Sequence, residues 1–453
     1  MASNDYECTS QVFSDIGNGL YLNPELADVN FIFESNDNHV ERVPAHKILL
    51  MAASDVFRVM FNGQWKEKDE VEIADTSVSV FKEFLQFFYI DRVKLTVANI
   101  NVVFKLGHKY NVTKCMTVCK KFMVNTLTND SILQRYALAI QFDQDDLVNV
   151  LEKLIGINTK PILESAEFLK CSRSVVSGIL NIDVLSCTEV ELFEACMNWV
   201  KANANQSQLS RKLVKSHLGN LFRYLRFGSM SINEFATVTS SHREIFSFDE
   251  YTDIIQMIGS KQHKSKFFNG IRSKRELKIN DAANDEKRQA EIICNRKILS
   301  SQNQRARTKD TTTFSSTDPL LLHTIHLPKI IGHDGKKYHS PQMKIAIEEI
   351  PHSAISTEKV LLYEGQTNLT TNSGCERFDK PILIKPGSTY RIHMEQLPLG
   401  IYYSKLLKEK VEIKSGITID FKSTKDDDDD DDPNGSCGLI QKLYFDPVWP
   451  LVP

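Results

Sequence analysis

Asp28-Val29-Asn30-Phe31-Ile32-Phe33, followed by Val43-Pro44-Ala45-His46-Lys47-Ile48-Leu49-Leu50-Met51-Ala52-Ala53-Ser54-Asp55-Val56-Phe57-Arg58-Val59-Met60-Phe61, is the stretch whose reading decides the fold. Val29, Phe31 and Phe33 alternate with Asp28, Asn30 and Glu34, the period of a strand with a buried face, although Ile32 blurs it. Pro44 is a good first helical residue, and Ile48, Leu49 and Ala52 then fall on one helical face. Ser54 suits the N-cap of a second short helix with Val56, Phe57, Met60 and Phe61 as its apolar stripe.

The run Asp-Val-x-Phe, x-Ala-His-Lys-x-x-Leu, Ser-x-x-Phe and Met-Phe in this stretch resembles the signature of the BTB/POZ domain. Working outward, the polar lead-in ends in Leu20-Tyr21-Leu22-Asn23-Pro24-Glu25-Leu26, with Gly17-Asn18-Gly19 before it reading as a turn. Downstream come a short strand at Val71-Glu72-Ile73 and a helix from Ser77 with Val78, Phe81, Phe84, Leu85 and Phe88. A second short strand is expected at Val93-Lys94-Leu95, then helices with Ile100, Val103, Phe104, Leu106 and with Cys115, Met116, Cys119, Phe122, Met123. Tyr89 and Lys109-Tyr110-Asn111-Val112 add to the resemblance, which covers roughly residues 20–127.

From Asn129 to about Ile258 the pattern is helical throughout. Thr188-Glu189-Val190-Glu191 is a capping box opening a helix with Leu192, Phe193, Cys196, Trp199 and Val200 buried. With the later Leu225-Arg226-Phe227 and Met230-Ser231, this order is similar to the BACK domain. Residues 261–311 gather lysine and arginine with few large apolar side chains and read as a basic linker, with Ala290 to Ile298 suited to a solvated helix. Beyond it, Leu321-His323-Ile325, Met343-Ile345-Ile347, Val360-Leu362, Ile382-Ile384, Tyr390-Ile392-Met394, Thr418-Ile419-Phe421 and Leu443-Phe445 are short strands separated by turn residues, the spacing of a β-sandwich. Phe378-Asp379-Lys380-Pro381-Ile382, Pro386-Gly387-Ser388-Thr389-Tyr390 and the closing Asn434-Gly435-Ser436-Cys437-Gly438 resemble a PHR domain, with Gly332-His333-Asp334-Gly335 replacing the family's Gly-Leu-Tyr-Gly element. The expected fold class is multidomain α+β. It comprises an arm (1–19), a BTB/POZ α/β cluster (20–127), an all-α BACK domain (128–260), the linker (261–311), a PHR-like β-sandwich (312–447) and a tail (448–453).

Composition narrows the function classes. The 453 residues suffice for roughly two to four domains. A net charge of −3 draws the chain neither to nucleic acid nor to membranes, and no run approaches a membrane span. The opening residues lack the basic and apolar regions of a secretory signal. Nine scattered cysteines fit reduced thiols, so a cytoplasmic location is expected, with a nuclear one left open.

Chemistry-bearing motifs are few. Cys115-x-x-x-Cys119 lacks two further close ligands and reads as packed thiols, and His323-x-x-His326 places its imidazoles on opposite sides of a strand. The seven aspartates Asp426 to Asp432 lack the carbonyls and glycine of a calcium loop and read as a solvated, self-repelling segment. No nucleophile, metal or cofactor motif stands out, so a non-catalytic protein without cofactor or metal is expected.

The resemblance to BTB–BACK–PHR proteins implies a substrate-recognition adaptor of a cullin-3 RING ubiquitin ligase. BTB and BACK would bind the cullin, BTB would pair two copies, and the sandwich would hold an unidentified protein substrate. By the same resemblance Asp28 and His46 form a buried polar pair. Tyr89, Ile90, Tyr110, Asn111 and Val112 face the cullin with Tyr89 and Asn111 exposed, while Leu20, Leu22, Leu26, Val56, Phe57 and Met60 serve the dimer. The loops at Gly332, His333, Asp334, Gly335 and at Asn372, Ser373, Gly374 are the substrate candidates. A BTB-dimerised scaffold or a corepressor-recruiting transcriptional protein is the alternative.

Overall fold

The computed structural model describes residues 12–34, 40–62, 69–90, 93–275, 292–305, 309–326, 330–331, 342–351, 359–368, 375–396, 401–413, 416–422, 440 and 442–448. It forms two compact units, residues 1–147 and 148–453.

The first unit holds α1 (Val12–Leu20), β1 (Val29–Glu34), β2 (Val40–Ala45), α2 (Lys47–Ala53), α3 (Asp55–Asn62), β3 (Glu70–Glu72), α4 (Val78–Tyr89), α5 (Ile100–Lys109), α6 (Thr113–Asn125) and α7 (Asn129–Gln141). The strands form one sheet in the order β2-β1-β3, antiparallel between β1 and β2 and parallel between β1 and β3. Val29, Phe31 and Phe33 all point into the core, as their alternation requires. There Phe31 meets Phe57 and Phe81, while the Phe57 and Tyr110 rings stack at 4.5 Å and Phe84 lies 5.6 Å from Tyr110. These residues span 80 positions of sequence, so the unit is held by non-local ring contacts.

Three local expectations are corrected. Pro44 lies in β2, an edge strand where a missing N–H costs no ladder bond, and the helix starts only after His46. Gly17-Asn18-Gly19 belongs to α1 and is no turn; a Cβ on Gly17 would stand 1.8 Å from the Tyr89 carbonyl oxygen. Glycine is used there to bring two backbones together. Val93-Lys94-Leu95 forms no strand. Farther along, Arg135 is buried and donates to the Met123 carbonyl and the Thr126 hydroxyl, closing the end of α6; burial lowers its pKa to about 10.

The helical part of the second unit contains α8 (Asp145–Ile157), α9 (Thr159–Leu163), α10 (Ala166–Lys170), α11 (Arg173–Asn181), α12 (Glu189–Ala204), α13 (Arg211–His217), α14 (Ile232–His242) and α15 (Phe248–Gly259), with short 3-10 turns at Gly219–Tyr224, Phe227–Ser229 and Arg243–Ile245. Three helices carry reciprocal capping boxes: Thr188 with Glu191, Ser231 with Glu234, and Ser247 with Glu250. Leu192, Phe193, Cys196, Trp199 and Val200 bury one face of α12.

The basic linker expected at 261–311 is a correction at both described ends. Residues 261–275 fold onto the helices. The Asp253 carboxylate accepts from His263, Ser265 and the Lys266 main chain, and buried Arg275 pairs with buried Glu189 at 3.1 Å. Arg275 also donates to the carbonyls of Ile182 and Tyr224. The solvated helix expected over Ala290 to Ile298 is corrected over its described residues, 292–298, which hold strands at Ile292–Asn295 and from Lys297.

Those strands begin an antiparallel β region of the same unit: β4 (Ile292–Asn295), β5 (Lys297–Arg305), β6 (Lys309–Ser316), β7 (Leu320–His326), β8 (Ile330–Ile331), β9 (Gln342–Pro351), β10 (Val360–Asn368), β11 (Cys375–Ile384), β12 (Ser388–Glu395), β13 (Ile401–Leu407), β14 (Lys410–Glu412), β15 (Thr418–Lys422) and β16 (Lys442–Pro447). A six-stranded sheet, β10-β9-β12-β6-β15-β14, and a four-stranded sheet, β11-β7-β16-β4, share one core; β5-β13-β8 form a third, smaller sheet. Met343, Ile345, Ile347, Tyr390, Ile392 and Phe421 from the larger sheet meet Leu322, Ile325, Ile382, Leu443 and Phe445 from the other. The sandwich therefore starts at Ile292, because β4 pairs with β16. Arg296 is fully buried, stacks over Phe421 at 3.8 Å and donates to the Lys408 and Ile440 carbonyls.

Candidate protein-binding surfaces

The end of α4 brings Tyr89 to His46, two of the residues that the sequence marks in the first unit. Tyr89 is buried, 6% exposed, so its expected exposure is corrected. Its hydroxyl accepts the His46 main-chain N–H at 2.8 Å and lies 3.0 Å from His46 Nδ1. Burial pushes the phenol pKa up to about 12; the His46 N–H works against the rise and the Asp28 charge adds to it. The buried polar pair is thus His46 with Tyr89. Asp28 is exposed, and its Oδ1 instead accepts the Lys47 main-chain N–H at 2.7 Å, satisfying a free amide at the start of α2. Two further contacts fix this corner. Gly17 lets α1 rest on the Tyr89 carbonyl, and Tyr21 packs its tilted ring 5.8 Å from that of Tyr89 while donating to the Lys82 carbonyl. His46 Nε2 is buried without a hydrogen-bond partner among the described residues.

The α5–α6 corner shows how few of the named cullin-facing residues reach solvent. Tyr110 and Val112 are buried, and the Tyr110 carbonyl accepts from the Ser54 hydroxyl. Asn111 is exposed and left-handed at φ 49°, a conformation asparagine tolerates better than branched residues. Ile90 is half-buried. The corner offers Asn111 as its side chain, with Ile90 beside the end of α4.

Of the six dimer candidates, Leu26 is 69% exposed, Leu20, Leu22, Val56 and Met60 are half-buried, and Phe57 is withdrawn, since it lies in the ring stack with no exposed surface. The structure exposes Ile48 on α2, which the periodicity puts on the apolar face, and Val59 on α3, which it leaves off the stripe: they are 71% and 69% exposed. Ile48 looked like a core position because its neighbours Leu49 and Leu50 blur the helical stripe; only Leu50 is buried on α2. Two large aliphatic side chains thus stand in water on the packed helices α2 and α3.

The substrate-loop candidates Gly332, His333, Asp334, Gly335, Asn372, Ser373 and Gly374, and the aspartates Asp426 to Asp432, lie outside the described residues. Cys115 and Cys119 are buried with sulfurs 3.8 Å apart; their mutual contact, then burial, raise the Cys115 pKa, so this thiol stays protonated. Among the described residues no cluster of three or more His, Cys, Asp or Glu is arranged to hold a metal, and no helix is long and apolar enough to cross a membrane.

A cleft of about 430 Å³ lies beside the start of α12, between it and the Asp379-Lys380 bulge of β11. Three of its four acids are already engaged, Glu189 by Arg275 and Glu191 and Glu234 by their own helix caps; the fourth is the exposed Asp379.

Comparison with known proteins gives the domains their names. Residues 18–127 match the family model of the BTB/POZ domain and residues 132–240 that of BACK, BTB And C-terminal Kelch. BTB/POZ domain-containing protein 3 of Mus musculus is 24% identical over 257 residues, covering 56% of this chain and 48% of that protein. BTB/POZ domain-containing protein 6 of Mus musculus is 28% identical over 241 residues, covering 52% and 44%, and its Homo sapiens counterpart is 27% identical over 237 residues, covering 51% and 44%. This chain thus matches about half the length of these curated relatives. The solved BTB domain of human gigaxonin is 21% identical and covers 27% of this chain and 99% of its own, with a TM-score of 0.22. The chain carries a BTB/POZ domain followed by a BACK domain and a C-terminal region of antiparallel sheets.

Proposed function

We propose that the chain is a substrate-recognition adaptor of a cullin-3 ubiquitin ligase, a non-catalytic bridge. Its BTB and BACK domains hold the cullin, and its C-terminal sandwich, read as a divergent PHR domain, holds the substrate. The observation that carries this reading is the order of parts: BTB, BACK and then an antiparallel sandwich in one polypeptide. Exposed Ile48 and Val59 on α2 and α3 support a homodimer, which would place two substrate arms on one assembly and turn weak single-site contacts into avidity. Asn111 and Ile90 support a cullin contact at the α4 and α5–α6 corner. Three cations of the basic region, Arg272, Arg275 and Arg296, are spent on main-chain carbonyls, which weakens a nucleic-acid role for it. A cytoplasmic location goes with this reading.

The test is a calorimetric titration of the full chain with the N-terminal domain of cullin-3. Saturable binding of one cullin per protomer is expected, and Ile90→Asp together with Asn111→Lys should weaken it about tenfold or more without moving the melting temperature appreciably. A folded dimer that takes up no cullin overturns the ligase reading and leaves a BTB-dimerised scaffold.

A further inference from the structure

The BACK region carries a groove that none of the surfaces above uses. It runs between α14 with its following 3-10 turn and the first turn of α15, and has a volume of about 500 Å³. Ala236, Ser240 and Arg243 form one side at helical spacing; Phe246, Phe248 and Tyr251 form the other. Phe248 is 83% exposed, the most exposed large apolar side chain among the described residues.

The fold does not need that phenylalanine. Helix α15 is already capped by Ser247 and Glu250, which bond each other's main-chain N–H groups, so the first helical position is free for any side chain. The groove walls, by contrast, are fixed. Phe246 is buried against Phe193, Phe227 and Phe235, and Tyr251 lies 5.5 Å from Phe235. A rigid aromatic wall with one ring standing in water is a surface prepared for an apolar side chain from elsewhere.

Charge selects the occupant. Arg243 is the one arginine, lysine, aspartate or glutamate lining the groove, and it has no ion-pair partner among the described residues. The acids adjoining it in sequence do not line it: Glu244 and Asp249 lie outside the lining, and Glu250 is turned away into its pair with Arg211 at 2.7 Å. The remaining polar lining is hydroxyl, from Ser240, Ser247 and Thr239. We propose that the α14–α15 groove of the BACK region is a docking site for a short acidic peptide. One large apolar residue of that peptide packs between Phe248 and Tyr251, and a neighbouring carboxylate takes the Arg243 guanidinium. The site stands whether or not the chain binds cullin-3.

The experiment is fluorescence anisotropy of a fluorescein-labelled probe peptide, Asp-Glu-Asp-Leu-Phe-Glu-Asp, titrated with the full chain, beside a control in which every acid is lysine. The acidic probe should saturate and the lysine control should not. Phe248→Ala and Arg243→Glu should each weaken the acidic probe about tenfold, and Arg243→Glu should bring the lysine control into saturation. Both side chains are exposed, so the melting temperature should stay unchanged and loss of binding will not reflect unfolding. Failure of the acidic probe to saturate, or equal binding by wild type and both variants, overturns the proposal. So does self-association that Phe248→Ala abolishes in a chain that ignores the probe, an outcome assigning the groove to a second copy.

Discussion

Tyr89 in the first unit and Tyr390 in the sandwich are the same device put to different ends. Both rings are buried, and both hydroxyls accept a main-chain N–H, from His46 at 2.8 Å and from Lys385 at 2.7 Å. Burial raises both phenols, so both remain protonated donors. Tyr390, however, accepts an amide only five positions away. It closes the Lys385–Ser388 turn, in which Gly387 takes φ +81° after Pro386, and it donates to Glu349, its opposite number on β9. Tyr89 reaches 43 positions back to His46 and supports α1 through Gly17. The sandwich tyrosine pins a turn; the other joins α1, α2 and α4, next to the half-buried Ile90.

If the first unit depends on distant contacts, its central ring is where it breaks most easily. Phe57→Ala should cost about 3–5 kcal/mol in chemical denaturation, since it empties the ring stack with Tyr110 and Phe31. Gly17→Ala sharpens the point, because its Cβ cannot coexist with the Tyr89 carbonyl. A loss of roughly 1–3 kcal/mol is expected, with faster hydrogen exchange across α1. Tyr89→Phe leaves the buried His46 N–H without its acceptor and should cost about 2 kcal/mol, with exchange accelerated in both α2 and α1. Tyr390→Phe should cost about 1 kcal/mol, with changes confined to residues 385–390, because Glu349 keeps the Ser388 hydroxyl and Lys385. Equal reach for the two tyrosine variants would break the comparison.

The smallest effect is one of pH, in the helical region. The Thr188 N–H holds the Glu191 carboxyl below its ordinary pKa, and the Ser231 N–H does the same for Glu234. For Glu250 burial pushes upward, yet Arg211 and the Ser247 N–H bring it below its usual value. A carboxyl with a folded pKa below its unfolded one stabilises the fold above the unfolded pKa and loses that contribution as pH falls through the folded value. Thermal melting followed by helical circular dichroism should therefore decline below about pH 4.5. Ser231→Ala should flatten the decline slightly.

Period and capping chemistry were readable wherever the deciding partners are near in sequence. The alternation of Val29, Phe31 and Phe33 identifies β1, and Thr188 with Glu191 identifies the start of α12. Readings failed where a distant partner decides. Gly17 and Tyr89, or His46 and Tyr89, are joined only by the folded chain, so the glycines read as a turn and Asp28 as the histidine's partner. Pro44 carries the same signal for a helix start and for an edge strand, and only the pairing of β2 with β1 separates them. Over 292–295 the strand period is present, with Ile292 and Cys294 inward and Ile293 outward, but the surrounding basic residues carry the stronger signal of a linker. Of the candidate surfaces, the exposed Ile48, Val59 and Phe248 were not legible, because sequence cannot tell an apolar residue left in water from one that is buried.

The most direct test of the adaptor reading is hydrogen–deuterium exchange of the full chain with and without the N-terminal domain of cullin-3. The account predicts protection concentrated in residues 90–113 and in α7 and α8, with the sandwich strands unchanged and free for a substrate. Protection confined to the sandwich, or none anywhere at saturating cullin, would contradict it.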